Sequence, residues 1–246
     1  MKKLTLFSIV AAVVLLPQLA QAMHIMEGFL PQMHAFFWLA AVVPFLAVGV
    51  GRINGVLHNH PERKLLLGLV TAFVFVLSAL KMPSVTGSSS HATGIGLSAI
   101  LFGPWVSAVL AGIVLVFQAL LLAHGGLTTW GANTFSMGVA GGMTAYLVFR
   151  GVRAAGLSEK LAVFLAAALG DLATYMVTAG QLSVAFPDPV GGMTASFFKF
   201  AGVFALTQIP LAISEGLLSV VVYNTLLRYN AQGLIHIWWN GEERKA

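Results

Sequence analysis

Apolar segments of nearly constant length recur along almost the whole chain and alternate with short polar or Gly/Pro-rich segments. An α-helix needs about 20 apolar residues to cross a hydrocarbon core of ~30 Å. The pattern therefore predicts transmembrane helices at about 34–51, 65–82, 104–123, 133–150 and 161–183. Two segments differ in length. Residues 92–102 are too few to cross a bilayer of normal thickness, and 194–229 could form a bent helix or a helical pair around Pro210.

The first apolar segment is shorter and has the features of a secretory signal. Two lysines precede the apolar residues 4–16, and the sequence "AQA" at 20–22 places small residues where signal peptidase cleaves. We therefore predict that residues 1–22 form a cleavable signal peptide and that residues 23–246 form a single transmembrane domain. That domain would begin at Met23. The alternative is an uncleaved signal anchor.

Composition also favours a polytopic membrane protein. Of the 246 residues, 58% are hydrophobic and 9% are charged, whereas soluble domains carry about 25% charged residues. The chain contains no cysteine, so any metal must be held by nitrogen or oxygen ligands. The predicted fold class is all-α and polytopic, with about seven transmembrane helices after removal of the signal peptide.

The positive charges then predict the orientation, because Lys and Arg concentrate in cytoplasmic loops. With Met23 outside, successive crossings place most of these residues inside: Arg52, Arg63, Lys64, Arg150, Arg153, Lys160, Arg228, Arg244 and Lys245. Lys81 and Lys199 remain near the outer side. We predict an outer N-terminus, a cytoplasmic C-terminus and a location in a cell membrane, expected to be a bacterial inner membrane.

The sequence "LAQAMHIMEGFL" carries the strongest chemical signal. Cleavage before Met23 would leave three nitrogens in sequence: the Met23 amine, the amide nitrogen between Met23 and His24, and the His24 imidazole. These can hold one divalent ion in two fused chelate rings, and planar nitrogen coordination suits Ni(II), Cu(II) and, in a strong ligand field, Co(II). His91 in "GSSSHATG" lies on the same predicted side and is the preferred fourth ligand. His34 is a weaker option, and His124 also lies on that side if residues 92–102 cross the membrane.

Other polar residues indicate alternative sites. The "HNHPE" cluster at 58–62 offers metal ligands, although a solvated loop or a partner-docking surface is commoner in a cytoplasmic loop. Asp171 and Glu215 lie in apolar segments, where carboxylates are costly and often functional. The alternative for these two is local pairing with Thr174 and Ser214. The chain contains neither an HExxH nor a Walker A motif, which excludes the usual helical zinc-protease site and ATP hydrolysis by the Walker route.

The segments "MHIMEGFLP", "SSSHATG", "HGGLTTWGAN" and "QIPLAISEGLL" resemble the CbiM/NikM family. This family is the substrate-binding membrane component of cobalt or nickel energy-coupling factor transporters, and the resemblance covers essentially the whole mature chain. In the family the mature protein begins Met-His, which implies that Met23, His24 and His91 are the metal ligands here. Ser90, His34 and His124 are candidates for supporting those ligands.

The resemblance also implies a transport function. Met26 and Glu27 favour the cobalt branch, so Co(II) is the expected substrate and Ni(II) the alternative, with no permanently bound cofactor. The expected partners are a transmembrane coupling protein, cytoplasmic ATPase subunits and a small auxiliary membrane protein, and the uptake would feed cobalamin biosynthesis. The chain is expected not to be an enzyme. Because the amine and the imidazoles must lose protons to bind metal, we expect capture to weaken below about pH 6.

Two other functions remain open from the residues alone. One is a partner-independent metal channel or secondary carrier, which would transport the ion without an ATPase. The other is a membrane enzyme that uses Asp171 or Glu215 together with a histidine.

Overall fold

The computed structural model describes residues 24–83 and 89–231, which are almost entirely helical. The predicted all-α fold class is therefore confirmed for this part of the chain. The strands described there form one short antiparallel pairing, between Met82–Pro83 and Ser89–Ser90, and an isolated bridge joins Asp188 and Gly192. The predicted signal peptide at 1–22, Met23, Arg244 and Lys245 all lie outside the described residues.

The described elements follow one another with short connections. In chain order they are α1 (Gln32–Asn59), α2 (Arg63–Ala79), β1 (Met82–Pro83), β2 (Ser89–Ser90), α3 (Ile95–Phe102), α4 (Pro104–Leu122), α5 (Trp130–Thr134), a π-helical segment (Phe135–Gly141), α6 (Gly142–Ala154), α7 (Glu159–Ala185) and α8 (Gly192–Ala231). The helical conformation is uninterrupted from α5 through the π-helical segment to α6.

Four of the described helices are long and apolar enough to cross a membrane: α1, α4, α7 and α8. The membrane character predicted from the apolar segments is therefore confirmed. Helix α2 has 17 residues and α3 has 8, and the α5–α6 helix contains the π-helical segment. The number of crossings and their orientation stay predictions.

Helix α8 is continuous through Pro210, so the predicted alternative of a helical pair at 194–229 is wrong. Proline has no backbone N–H and removes one hydrogen bond from the helix. Membrane helices tolerate this loss where neighbouring groups, including Ser and Thr hydroxyls, bond the backbone nearby. The Ser214 hydroxyl donates to the Pro210 carbonyl at 2.9 Å, one turn after the Leu206 carbonyl, which is the one that loses its backbone donor to the proline.

The short segment predicted at 92–102 forms α3, and all eight of its residues are buried. Eight helical residues span about 12 Å, less than half of a hydrocarbon core of ~30 Å. Gly96 lets α3 pack closely on α7, because a Cβ atom at this position would lie 2.5 Å from the Cα atom of Ala167. Helix α3 is therefore a core helix that connects the His91 segment to the Gly103-Pro104 turn.

Three connecting segments meet at one end of the helical bundle: 24–31, before α1; 89–94, before α3; and 123–129, after α4. Each is short and is bonded to a helix or to another of the three segments. The orientation predicted from the cations puts the first two segments on the outer side, and the third as well if residues 92–102 cross the membrane. This end of the bundle holds the site described next.

Candidate metal centre

Three histidine side chains meet in the interior of this end of the protein: His24, His91 and His124. Their ring centroids are separated by 4.5 Å for His24 and His91, and by 4.8 Å for each ring to His124. The exposed fractions are 0%, 0% and 2%. One nitrogen from each ring can be chosen so that all three lie within 4.8 Å of one another. Within residues 24–83 and 89–231, this is the only set of three His, Cys, Asp or Glu residues gathered in this way.

The ring nitrogens of these histidines are almost all without hydrogen-bond partners among the described residues. His91 Nδ1 lies 3.0 Å from the Ala92 carbonyl oxygen, which leaves His91 Nε2 without a partner. Both nitrogens of His24 and of His124 also have none. Because a buried polar atom without a partner costs about 1–3 kcal/mol, native proteins avoid such atoms unless a ligand satisfies them. Neutral imidazole nitrogens of this kind are the commonest metal ligands in proteins.

His24 is positioned by hydrogen bonds between its own segment and the start of α5. The Asn133 side chain accepts from the Ile25 N–H at 2.8 Å and donates to the Ile25 carbonyl at 2.9 Å. The Thr129 hydroxyl donates to the same carbonyl at 2.6 Å. Side-chain amides can replace a backbone partner in this way where no strand is available. These bonds fix the backbone on the C-terminal side of His24.

Glu27 fastens the same segment to the residues that follow His124. Its carboxylate accepts from the backbone N–H groups of Leu127 and Thr128, and its own N–H donates to the Gly125 carbonyl at 3.2 Å. Gly126 packs directly on Glu27, and a Cβ atom at Gly126 would lie 2.6 Å from the Glu27 nitrogen. The glycine is needed here because the two backbones touch.

His91 is positioned by helix α8 through three contacts. The Ser90 hydroxyl lies 2.7 Å from the Thr207 hydroxyl, and the Gln208 side chain donates to the His91 carbonyl at 3.1 Å. The Glu215 carboxylate accepts from the backbone N–H groups of Thr93 and Gly94 and from the Thr93 hydroxyl. The segment that carries His91 is therefore held by polar side chains on a membrane-spanning helix.

Burial lowers the pKa of each of the three imidazoles, all of which lie outside the helices. For His91 desolvation is the main cause and lowers the pKa from 6.5 to about 4. For His24 and His124 desolvation is again the largest effect, and repulsion from neighbouring rings and from Lys81 lowers the pKa further. The Gln118 side chain has a smaller effect, which raises the pKa of His24. The rings are therefore neutral at pH 7 and have lone pairs available for a metal ion.

Comparisons with known proteins identify the family of this chain. The family model for CbiM, described as the cobalt uptake substrate-specific transmembrane region, matches residues 24–232. The chain belongs to the CbiM family. A cobalt transport protein CbiM 1 from Pelobacter propionicus is 62% identical over 226 residues, which are 91% of this chain and 100% of that protein. A cobalt transport protein CbiM from Acetoanaerobium sticklandii is 55% identical over 235 residues, 95% of this chain and 97% of that protein.

Two solved structures share the fold of this CbiM-family chain. Both are described as transition metal transporters, one of them truncated, and both superpose with a TM-score of 0.74 at 24% sequence identity. They cover 84% and 85% of this chain, and 99% and 94% of their own chains. At that identity the likeness establishes the fold.

The structure brings together some of the residues singled out from the CbiM-family sequence and separates others. His24 and His91 lie side by side, and His124 completes the cluster. Met23 is outside the described residues. His34 lies in the first turn of α1 and is not part of the cluster. Ser90 is bonded to Thr207, so within the described chain its hydroxyl fixes the loop and has no recorded bond to an imidazole.

The "HNHPE" segment does not gather a third metal ligand in the described part of the chain. His60 Nδ1 lies 3.2 Å from the Glu62 carboxylate, and both side chains are exposed. Helix α1 ends at Asn59, so His58 lies in its last turn and is exposed. The solvated-loop interpretation therefore fits this segment better than a metal site.

The two buried carboxylates are not paired locally, so that interpretation was wrong. The Thr174 hydroxyl donates to the Gly170 carbonyl, and Ser214 bonds Pro210. Asp171 instead accepts from the Gln208 side chain at 2.6 Å, and Glu215 bonds the segment after His91. Both carboxylates thus support the loop that carries a histidine of the cluster.

Sequence reasoning missed several residues that build this site in the CbiM-family chain: Gln118, Asn133, Thr207 and Gln208. The available signal was an uncharged polar side chain inside an apolar segment, since burial of such groups is costly unless they are bonded. That signal marks a buried residue without naming its partner. Asn133 bonds Ile25 and Gln208 bonds His91, and each of these partners is more than 100 positions away along the chain.

Proposed function

We propose that this chain is the substrate-capture and membrane component of an ATP-driven cobalt uptake transporter. The observation that carries the proposal is the buried cluster of His24, His91 and His124, whose ring nitrogens lack partners among the described residues. The family model is described as a cobalt uptake region, and the relatives are named cobalt transport proteins. Both support Co(II) as the substrate.

The proposed ligands are the nitrogens of Met23, His24 and His91. Removal of residues 1–22 frees the Met23 amine, and a metal ion then binds this amine, the amide nitrogen between Met23 and His24, the His24 imidazole and the His91 imidazole. In the fused chelate the His24 imidazole binds through Nδ1, which closes a six-membered ring with its own amide nitrogen. The hydrogen bonds between Asn133 and Ile25 support this set of ligands, because they hold His24 beside His91.

The proposed transport cycle needs partners, because the sequence has no Walker A motif for ATP hydrolysis. We infer a transmembrane coupling protein, cytoplasmic ATPase subunits and a small auxiliary membrane protein. The metal would be captured on the outer face, with the N-terminus outside, and released inward to feed cobalamin biosynthesis. Seven crossings with a cytoplasmic C-terminus accommodate this direction.

N-terminal sequencing of the mature protein, together with metal titration of the purified chain, tests the ligand set. We expect the mature chain to begin at Met23 and to bind Co(II). Adding one alanine before Met23 should weaken Co(II) binding by at least about tenfold, since the Met23 nitrogen then becomes an amide and the free amine lies one residue further from His24. His91→Ala should do the same, whereas His58→Ala, at an exposed site on α1, should leave binding unchanged.

Uptake assays distinguish the proposal from its alternatives. Concentrative Co(II) uptake by vesicles that contain this chain alone would establish a partner-independent carrier. Uptake only with an ATPase and coupling protein present is the expected result. Preference for Ni(II) in competition with Co(II) would assign the nickel function, and turnover that depends on Asp171 or Glu215 would indicate an enzyme.

A further inference from the structure

The third histidine of the cluster has no role in the ligand set proposed above. His124 is 2% exposed, and neither of its ring nitrogens has a hydrogen-bond partner among the described residues. Its ring centroid lies as close to His24 as to His91, at 4.8 Å from each. A histidine that only fills space in a protein interior normally bonds at least one nitrogen. The position of His124 therefore calls for a ligand.

The backbone that presents His124 is strained. Ala123 has φ 46° and ψ 46°, and it is the one non-glycine residue with positive φ in the part of the chain that is described. This conformation costs an L-residue about 1 kcal/mol or more and is found preferentially at functional sites. It ends α4 and turns the chain so that His124 enters the cluster, with the His124 N–H bonded to the Gln118 carbonyl at 3.2 Å.

The dimensions of the cluster suit one ion with all three imidazoles bound. Nitrogen ligands at 2.0–2.1 Å from a metal ion are about 2.9 Å apart when they lie at right angles, and at most about 4.2 Å apart when they lie opposite each other. The three nitrogens of the cluster lie within 4.8 Å of one another. Because the three imidazoles take neighbouring positions around the ion in the arrangement proposed next, a contraction of up to about 2 Å between their nitrogens would bring His124 into coordination together with His24 and His91.

We propose that His124 is a direct fifth nitrogen ligand, bound out of the plane of the other four, and that it makes the site prefer Co(II) over Ni(II). This rests on the function proposed above. The amine, the amide nitrogen and the His24 imidazole form two fused chelate rings and occupy three corners of a square, and His91 occupies the fourth. A further imidazole can then reach the ion only along the axis perpendicular to that square.

The electronic structures of the two ions explain the selectivity. In a strong planar field Ni(II) has a filled d orbital on the axis, which repels a fifth donor. Low-spin Co(II) has a single electron in that orbital and binds an axial imidazole. A planar nitrogen site without such a ligand should follow the ordinary order of affinities, in which Ni(II) exceeds Co(II). His124 therefore supplies a preference that the planar donors alone do not.

Electron paramagnetic resonance of the purified, mature chain loaded anaerobically with Co(II) tests the proposal directly. The unpaired electron of low-spin Co(II) lies on the axis, so an axial nitrogen splits each cobalt hyperfine line into a triplet. We expect triplets in the wild-type protein and their loss in His124→Ala. Protein produced with ring-¹⁵N-labelled histidine should show doublets in place of the triplets, because the ¹⁵N nucleus has spin 1/2. This change would show that the axial donor is an imidazole and not the amine.

Metal titrations give the second readout. His124→Ala should lower Co(II) affinity by at least about tenfold and change Ni(II) affinity much less, so retained Ni(II) binding also shows that the variant is folded. His58→Ala is the matched control. A high-spin spectrum, lines without nitrogen splitting, triplets that persist in His124→Ala, or equal losses for both ions would each overturn the proposal.

Failure of the axial ligand differs from failure of the proposed function. If only the axial ligand is wrong, Co(II) binding still depends on the free Met23 amine and on His91, but not on His124. If the ligand set itself is wrong, adding an alanine before Met23 leaves Co(II) binding unchanged in the wild-type protein.

Discussion

The side-chain amide of Asn133 bonds both backbone polar groups of Ile25. Its oxygen accepts from the Ile25 N–H at 2.8 Å, and its nitrogen donates to the Ile25 carbonyl at 2.9 Å. These residues are 108 positions apart, and their pairing holds the chain immediately after His24. The proposed metal site therefore depends on a helix that contributes no ligand to it.

Removing the hydrogen bonds between Asn133 and Ile25 should weaken metal binding although no proposed metal ligand is changed. In Asn133→Ala the buried Ile25 N–H has no remaining partner among the described residues, while its carbonyl keeps Thr129. An orphaned buried donor costs about 1–3 kcal/mol, so we expect Co(II) affinity to fall by about tenfold. Titration calorimetry measures the change. Asn54→Ala, at an exposed position of α1, is the control, and equal affinity in the two variants would contradict the prediction.

Glu215→Gln should loosen the segment that carries His91. The carboxylate accepts from Thr93 and Gly94 through both oxygens, whereas an amide offers one acceptor and turns an NH₂ group toward the remaining donors. Hydrogen bonds to charged groups contribute about 1.5–3 kcal/mol each, so we expect a lower melting temperature and weaker Co(II) binding.

Thermal unfolding in detergent, with and without Co(II), measures both effects for Glu215→Gln. Glu62→Gln is the matched control, because Glu62 is exposed at the end of the α1–α2 connection. Should Glu215→Gln melt and bind like Glu62→Gln, the assigned supporting role of Glu215 would have to be abandoned.

Gly126→Ala should displace the N-terminal segment. The added Cβ atom would meet the backbone of Glu27, including its nitrogen at 2.6 Å, and overpacking of this kind costs about 1–3 kcal/mol. Because the displaced segment carries His24, Co(II) and Ni(II) affinities should fall together. Gly55→Ala is the matched control, since nothing lies within 4 Å of a Cβ atom there. A normal affinity for both ions in Gly126→Ala would show that the close contact is unimportant.

The free energy of unfolding of the metal-free protein should decrease as the pH is lowered from 6.5 to 4. The pKa of His91 is lowered from 6.5 to about 4 by burial, so in this window the unfolded chain binds a proton that the folded chain does not. The contribution of His91 to folding stability is therefore fully present above pH 6.5 and is lost as the pH falls toward 4. The window carries up to about 3 kcal/mol, at about 1.4 kcal/mol per pH unit.

Melting curves of chelator-treated protein across this range check that expectation. His91→Gln removes the titrating group, so its melting temperature should depend less steeply on pH than that of the wild type. Equal pH dependence of the two melting temperatures would contradict it.

The burial of His91 also changes the pH range in which protons are expected to compete with the metal. Because the pKa of His91 is lowered to about 4, we expect competition near pH 6 to come from the proposed amine ligand of Met23, for which the reference pKa is ~7.7–8.0.

The helices could be predicted from the sequence because their length is imposed by the bilayer. An apolar segment of about 20 residues has few other ways to bury itself, so 104–123 closely matches α4, Pro104–Leu122. The ends were less accurate where a helix is longer than a membrane crossing requires, as in α1, which has 28 residues and ends at Asn59. The continuity of α8 through Pro210 could not be read from the sequence, because it depends on what packs beside the proline.

The sequence by itself determined the membrane character, the helical class and the residue types that can hold a metal, because apolar length and imidazole chemistry are local properties. It also singled out His24 and His91. Only the tertiary structure decided that His124 joins them, that His34 does not, and that Asn133, Gln208 and Glu215 hold the loops in place. The hydrogen bonds of Asn133 to Ile25 and of Glu215 to Gly94 join residues more than 100 positions apart. The packing of the helices, and not any local pattern, decides which of them meet.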